Sequence, residues 1–460
     1  MVRKNASTLL TDESATKFQV FTRANIAKTP EWERLPEEIR ESVMTVSTVL
    51  PFRVNRYVMD DLIDWDNVPA DPMFQLTFPQ RGMLSEEHYS RMLTLVRGDA
   101  PKAEIEAAAN EIRMDLNPHP AGQLTHNVPT VDGEEIAGVQ HKYRETALFF
   151  PSSGQTCHAY CTFCFRWAQF VGMNDLKFAS REASQMRRYL EAHPEITDVL
   201  ITGGDPMVMK AKIFAAIVDE IIKVESVRTV RIGTKSVAYW PHRFVTDADA
   251  DDMLEQFERI AEAGKHVAIM GHYNHPVELS TDVAEEAVRR IRSAGGNIRM
   301  QSPIIRHIND DPRAWAQLWR RGTQLGCIPY YMFVERDTGA QRYFELPLVR
   351  AWEIFREAYQ RLPGTARTVR GPSMSCFPGK CHILGVTEVG GQKAFMLEYL
   401  QARDPSLVRQ PFFAKYDEKA TWYDDLQPLT ERDAKFFSYP EPANGVGLTV
   451  DRKDVSVETN

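Results

Sequence analysis

The chain has 460 residues, 43% of them hydrophobic and 26% charged, with a formal net charge of −8. That length buries a sizeable core in one large domain with extensions or in two domains, and the acidic balance argues against nucleic acid as a partner. No apolar run reaches the roughly 18–20 residues of a membrane span, and the opening MVRKNASTLLTDESATKF lacks a signal peptide's apolar centre, so no membrane is expected and the cytoplasm is the expected location.

The first stretch is rich in proline and acidic residues. Its helical segments EWERLPEEIRESVMTV and PKAEIEAAANEIRMDL predict a helical N-terminal extension over residues 1–140. Strand-like apolar runs then recur about every 30 residues: TALFF (146–150), VLIT (199–202), TVRI (229–232), HVAIM (266–270), NIRMQ (297–301) and PYYMFV (329–334). Between them lie stretches with helical spacing, such as AAIVDEIIKV, MLEQFERIAEAG and DVAEEAVRRIRSAGG. The last has Ser280 and Thr281 as cap candidates and Gly295-Gly296 as its stop. Such alternation implies parallel strands with right-handed crossovers, and six units predict a partial (β/α)6 barrel over residues 141–385. Polar motifs just after the strands favour the barrel, whose sites are built there. Beyond residue 385 the pattern weakens into a C-terminal extension, 386–460, whose NGVGLTVDRKDVSVETN reads as a tail.

Three of the six cysteines, Cys157, Cys161 and Cys164, crowd into QTCHAYCTFCFRW in the order C-x3-C-x2-C. Three thiolates can hold three irons of a [4Fe–4S] cubane and leave the fourth iron open to another ligand. The alternatives are a zinc site or three unligated thiols. Zinc sites usually show paired C-x2-C or histidine-containing units, whereas here no second pair follows and His158 is poorly placed between two cysteines. A ferredoxin-like carrier would need a nearby fourth cysteine, and the next is Cys327. At the end of the second strand stands Gly203-Gly204-Asp205. Its glycines let backbone approach closely and its carboxylate can pair with an ammonium, although a tight turn would look the same.

The cysteine loop, with Phe163 before the last cysteine, resembles the signature of the radical SAM superfamily. The resemblance implies that S-adenosylmethionine (SAM) binds the open iron, yields a 5′-deoxyadenosyl radical, and has its amino group met by Gly203, Gly204 and Asp205. The further motifs RIGTKS, GHYNHP, QSPIIRHIND and PYYMFVERD, with TGGDP, resemble the lysine 2,3-aminomutase family over roughly residues 110–385. This resemblance implies a 1,2-amino shift in a small-molecule α-amino acid, assisted by pyridoxal phosphate (PLP). The reductant would be an electron donor such as flavodoxin or ferredoxin, and the number of chains that assemble is left open.

Residue by residue, the likeness puts His272 and Gln301 against the adenosyl moiety. PLP would be carried covalently on Lys380, in a GPSMSCFPGKCHILG stretch where the family's glycine run is reduced to Gly379. Lys142, Tyr143 and Arg144 of HKYRETAL would face the phosphate, and Arg166 would grip the substrate carboxylate. Where the lysine enzymes use two aspartates for the distal ammonium, this chain has Arg336 and Ser373. A cation there repels lysine and attracts an acidic side chain. Two rivals remain: a PLP-independent radical SAM enzyme (epimerase, dehydrogenase or lyase) and a non-catalytic iron–sulfur protein. The second has no use for Gly203–Asp205, HYNHP or Arg166.

Overall fold

The computed structural model describes residues 17–116, 127–131, 134–136, 138–171 and 183–437; the expected tail lies outside them. Eleven strands form one continuous sheet in chain order: β1 Val139–Tyr143, β2 Thr146–Phe149, β3 Asp198–Ile201, β4 Thr229–Thr234, β5 His266–His272, β6 Gly296–Ile304, β7 Ile328–Val334, β8 Arg370–Ser375, β9 Gly379–Val389, β10 Gln392–Ala402 and β11 Phe412–Lys415. Strands β2 to β8 pair in parallel, while β1 and β9–β11 join antiparallel at the two ends. The edge strands β1 and β11 do not pair with each other, so the barrel is partial. All six expected strands are present, and β8 adds a seventh parallel one.

Helices cover the outer face: α4 Ala183–Ala192, α5 Ala211–Ile221, α6 Ala250–Glu262, α7 Asp282–Ser293, α8 Pro312–Gln324 and α9 Leu348–Gln360. Helix α7 shows why these segments fold as they do. Its buried Ala284, Ala287, Val288 and Ile291 recur at helical spacing, Thr281 Oγ1 accepts from Ala284 N at 3.2 Å, and Gly295 takes a φ of +85° beyond its end. The cap contributes about 1 kcal/mol and each of Val288 and Ile291 roughly 1.5–3 kcal/mol by burial. Strand β4 alternates: Val230 and Ile232 are buried under the helices, whereas Thr229, Arg231 and Gly233 are half-buried along an interior lumen.

Ahead of the sheet, residues 17–116 hold the expected helices, among them α1 Glu37–Val46, α2 Glu86–Arg97 and α3 Lys102–Asp115, and also an antiparallel ribbon, Val20–Thr22 with Arg53–Asn55. The expected boundaries at 140/141 and 385/386 fall inside β1 and β9. The chain after 385 is thus built into the sheet, with its own core around Phe395, Leu397, Tyr399, Phe412 and Trp422.

Candidate active site

The cysteine loop leaves the C-terminal end of β2 and docks on the turn after β3. Asp205 N donates to Gly154 O (3.0 Å) and to Thr156 O (2.7 Å). A Cβ on Gly204 would lie 2.5 Å from Thr156 O, and one on Gly203 2.3 Å from Gln155 Nε2. The glycine pair is therefore required where two loops meet, whatever ligand follows. Asp205 corrects the expectation that its carboxylate is free for an ammonium. It is 1% exposed, and Oδ1 accepts from Thr234 Oγ1 (2.7 Å) and Met207 N (2.9 Å) while Oδ2 accepts from Lys235 N (2.8 Å), Ser236 N (2.9 Å) and Ser236 Oγ (2.9 Å). Its acceptor capacity is taken by the protein.

The N-terminal extension grips the same loop. Tyr160 N donates to Arg53 O (2.8 Å), Thr162 N to Leu76 O (2.9 Å), and Asn55 Nδ2 to His158 O (3.3 Å) and Tyr239 O (2.8 Å). His158 is drawn into the core: Nδ1 lies 2.8 Å from Ser236 Oγ, the ring stacks on Trp240, and burial lowers its pKa to about 3. It is a neutral structural imidazole.

The three cysteines are half-buried and unbridged. Burial raises the pKa of Cys161 to about 11 and of Cys164 to about 12, and pushes that of Cys157 well up, so deprotonation of each requires a bound cation. Among the described residues no three His, Cys, Asp or Glu side chains gather about the position of one metal ion, as a zinc site demands. Three thiols on one loop would offer one ligand to each of three irons of a cubane. Cys327 packs under α8 at the opposite end of β7, and Cys376 and Cys381 belong to the C-terminal core.

Facing the loop across the lumen, His272 closes β5, and Gln301 stands opposite it on β6. His272 Nε2 is buried without a partner, the ring meets Phe163 edge-on at 5.6 Å, and burial holds the imidazole well below its usual pKa. This orphaned nitrogen beside the loop suits an organic ligand on the open iron.

The other wall is cationic. Lys380 on β9 is half-buried by accessible area yet surrounded by protein, as a side chain lining an internal lumen is. Nζ lies 4.2 Å from the centre of the Tyr331 ring and has no carboxylate partner among the described residues; burial, reinforced by Arg231, Arg370 and Lys142, lowers its pKa to about 7. Lys142 Nζ donates to Cys376 O at 2.7 Å, and burial likewise lowers its pKa to about 7. Tyr143 lies against it, with Nζ 5.3 Å from the ring centre. Arg144 departs from expectation. It is exposed on the turn between β1 and β2, at the ends of the barrel strands opposite the cysteine loop, and does not join the site. Gly379 is required by strand pairing, since a Cβ there would lie 2.2 Å from Gln401 O.

Arg166 and Arg336 flank Phe165, with Cζ 5.4 Å and 5.6 Å from its ring centre. Burial, with a further contribution from Arg336, lowers the Arg166 pKa to about 10. Arg336 points inward, against Trp422 at 5.6 Å; its Nε and Nη2 are buried without hydrogen bonds, and its nearest carboxylate, Asp337, stands 3.5 Å from Nε. Ser373 is buried in the sheet, on β8 opposite Phe333. Sequence reading missed Arg231 and Lys235, which lie inside the RIGTKS motif. It also missed Trp422 and Arg403, which carry no local signal, although Arg403 Nε donates to Phe377 O at 3.0 Å beside Lys380's loop.

Residues 152–317 match the profile of the radical SAM superfamily. A cysteine loop above a partial barrel of this kind defines a radical SAM enzyme, for which the family implies a [4Fe–4S] cluster and SAM. The chain is 31% identical over 397 residues to an Aquifex aeolicus protein named "Putative L-lysine 2,3-aminomutase", covering 86% of this chain and 93% of that one. It is 25% identical over 374 residues to the glutamate 2,3-aminomutase of Clostridioides difficile, covering 81% and 74%. It is 23% identical over 262 residues to the L-lysine 2,3-aminomutase of Clostridium subterminale, covering 57% and 60%. The chain belongs to the lysine 2,3-aminomutase family of radical SAM isomerases. Among the described residues no helix is long and apolar enough to cross a membrane.

Proposed function

We propose that this isomerase moves the amino group of an acidic α-amino acid from the α- to the β-carbon, with PLP on Lys380 and a cluster with SAM on Cys157, Cys161 and Cys164. The observation that carries the reading is a set of buried cations short of anionic partners: Lys380 has no carboxylate partner among the described residues, and Arg336 has two nitrogens without hydrogen bonds, with Asp337 3.5 Å from Nε. Such cations are costly to bury unless an anion arrives to pair with them.

When bound, the cluster and SAM supply a carbon-centred radical that removes a hydrogen atom, and PLP supplies the conjugated carbon that holds the migrating nitrogen. Arg166 offers its planar fork to the substrate's α-carboxylate, and Arg336, across Phe165, offers a second to the distal carboxylate. Lys380, with a pKa near neutrality, releases its proton to become a nucleophile and takes one back when displaced. Lys142 and Tyr143 face the phosphate end, with Arg403 near them. His272 and Gln301 line the adenosyl side, where Phe163 excludes water. A one-electron donor of the flavodoxin or ferredoxin kind supplies the reducing electron.

Like charges about 4 Å apart cost roughly 4 kcal/mol at an effective dielectric of 20, which disfavours a lysine side chain by several hundredfold. Anaerobic protein given SAM, PLP and a reductant should convert L-glutamate to its β-isomer, read by NMR, with kcat/KM more than about a hundredfold above that for L-lysine. Efficient formation of β-lysine instead would remove Arg336 from the substrate pocket and overturn the assignment.

A further inference from the structure

The residues just behind the cysteine loop form a second polar arrangement that the reaction above does not use. The short helix Ser236–Tyr239 follows β4 and ends on Tyr239, whose hydroxyl lies 3.4 Å from Cys161 Sγ. The geometry allows either atom to donate, but a cysteine sulfur bound to iron carries no proton and can only accept. The phenol then becomes the donor. The Cys164 sulfur meets the backbone of Arg166, whereas the Cys161 sulfur meets a side-chain hydroxyl.

This hydroxyl is held in place from every side. Asp205 receives Lys235 N, Ser236 N and Ser236 Oγ at the start of the short helix, and Asn55 from the N-terminal extension binds Tyr239 O at its end. Lys235 Nζ sits 4.4 Å from the centre of the Tyr239 ring. Nζ is itself fixed by Glu278 Oε1 (2.6 Å), Asn274 Oδ1 (2.8 Å) and His272 O (3.3 Å). Tyr239 is 1% exposed and Glu278 fully buried, so the phenol and the ion pair behind it are shielded from water. An ammonium on the face of a phenol draws electron density from the ring and strengthens its O–H as a donor.

We infer that Tyr239 is a positioning residue for the cluster, which donates a hydrogen bond to the Cys161 sulfur and thereby makes the cluster easier to reduce. A donor to a ligating sulfur stabilises the electron-rich reduced form more than the oxidised one, a means by which proteins set iron–sulfur potentials. The inference rests on the assignment of Cys157, Cys161 and Cys164 to one cluster.

The test is a redox titration of the reconstituted full-length protein, followed by EPR, with iron and sulfide content measured on the same samples. In Tyr239→Phe the cluster should assemble with unchanged iron, and its reduction should become about tenfold less favourable, a shift of 59 mV to more negative potential. A full cluster with an unchanged or higher potential would overturn the inference. If the Phe variant fails to fold, wild-type protein with 3-fluorotyrosine at position 239 reads the same bond with a stronger donor. Its potential should rise, and an unchanged value would overturn the inference equally. A wild-type protein that takes up no [4Fe–4S] cluster would instead refute the cysteine assignment, a distinct outcome.

Discussion

The two walls of the lumen are built on opposite principles. On the cysteine-loop wall the buried charges Asp205, Lys235 and Glu278 are already answered: Asp205 holds five donors, and Lys235 and Glu278 hold each other at 2.6 Å. On the Lys380 wall the cations Lys380, Arg166 and Arg336 have no hydrogen-bonded carboxylate among the described residues. The first wall is closed on itself and holds a loop in shape. The second carries cations that are compensated only in part, an arrangement suited to an anionic ligand. Binding energy is therefore to be sought in anions arriving at the second wall.

The largest effect should follow from the loop itself. Replacing any one of Cys157, Cys161 or Cys164 with Ala should abolish SAM cleavage, while Cys327→Ala should leave bound iron unchanged. Iron analysis and a 5′-deoxyadenosine assay distinguish them. Loss of iron in Cys327→Ala would mean a fourth protein ligand and no open iron.

Next in size is the charge on the second wall. Arg336→Asp should lower kcat/KM for L-glutamate by about three orders of magnitude, following the roughly 4 kcal/mol Coulomb difference, and raise that for L-lysine. An unchanged ratio would show that Arg336 takes no part in selecting the side chain.

On the closed wall the cost should fall on folding. Asp205→Ala leaves several buried donors unpaired, at about 1–3 kcal/mol each, so urea denaturation should show a loss of about 3 kcal/mol or more. If stability held and only SAM affinity fell, the carboxylate would be a ligand group after all.

The smallest effect is a pH signature. Lys380 has its pKa lowered to about 7 by burial, against 10.5 for a free lysine, so between these values the unfolded chain binds the extra proton. That deficit makes wild-type stability rise with pH through this window, through this group, and the cost is fully present below pH 7. Lys380→Met should therefore be more stable than wild type near pH 7, with an advantage that fades towards pH 10.5. A difference that does not vary with pH would place the amine in water.

The sequence made the first wall legible and the second only in part, for a physical reason. Strand runs and the cysteine spacing are local patterns, and all six expected strands lie within a few residues of their predicted bounds. The glycines of Gly203–Asp205 were visible as a motif, but their cause is the cysteine loop far earlier in the chain: the Gln155 side chain meets Gly203, and the Thr156 backbone occupies the space a Cβ on Gly204 would need. Lys380 was visible through resemblance alone. Its neighbours come from β1, β4, β7 and β8, and no local spacing announces that Arg231, Arg370 and Lys142 converge on it. Arg144 misled because adjacent residues at a tight turn point to opposite sides. Trp422 lies in a segment whose antiparallel strands continue the sheet without repeating the strand–helix period, so its place against Arg336 left no mark in the pattern.

Lys380, without a carboxylate partner among the described residues, is the proposed carrier of PLP. Purified protein, loaded with PLP at pH 7.5 and treated with borohydride, can be digested and mapped by mass spectrometry. A stable pyridoxyl adduct is expected on the peptide containing Phe377-Pro378-Gly379-Lys380, absent from Lys380→Met. An unmodified Lys380 in protein that binds no PLP, with SAM cleavage intact, would contradict it.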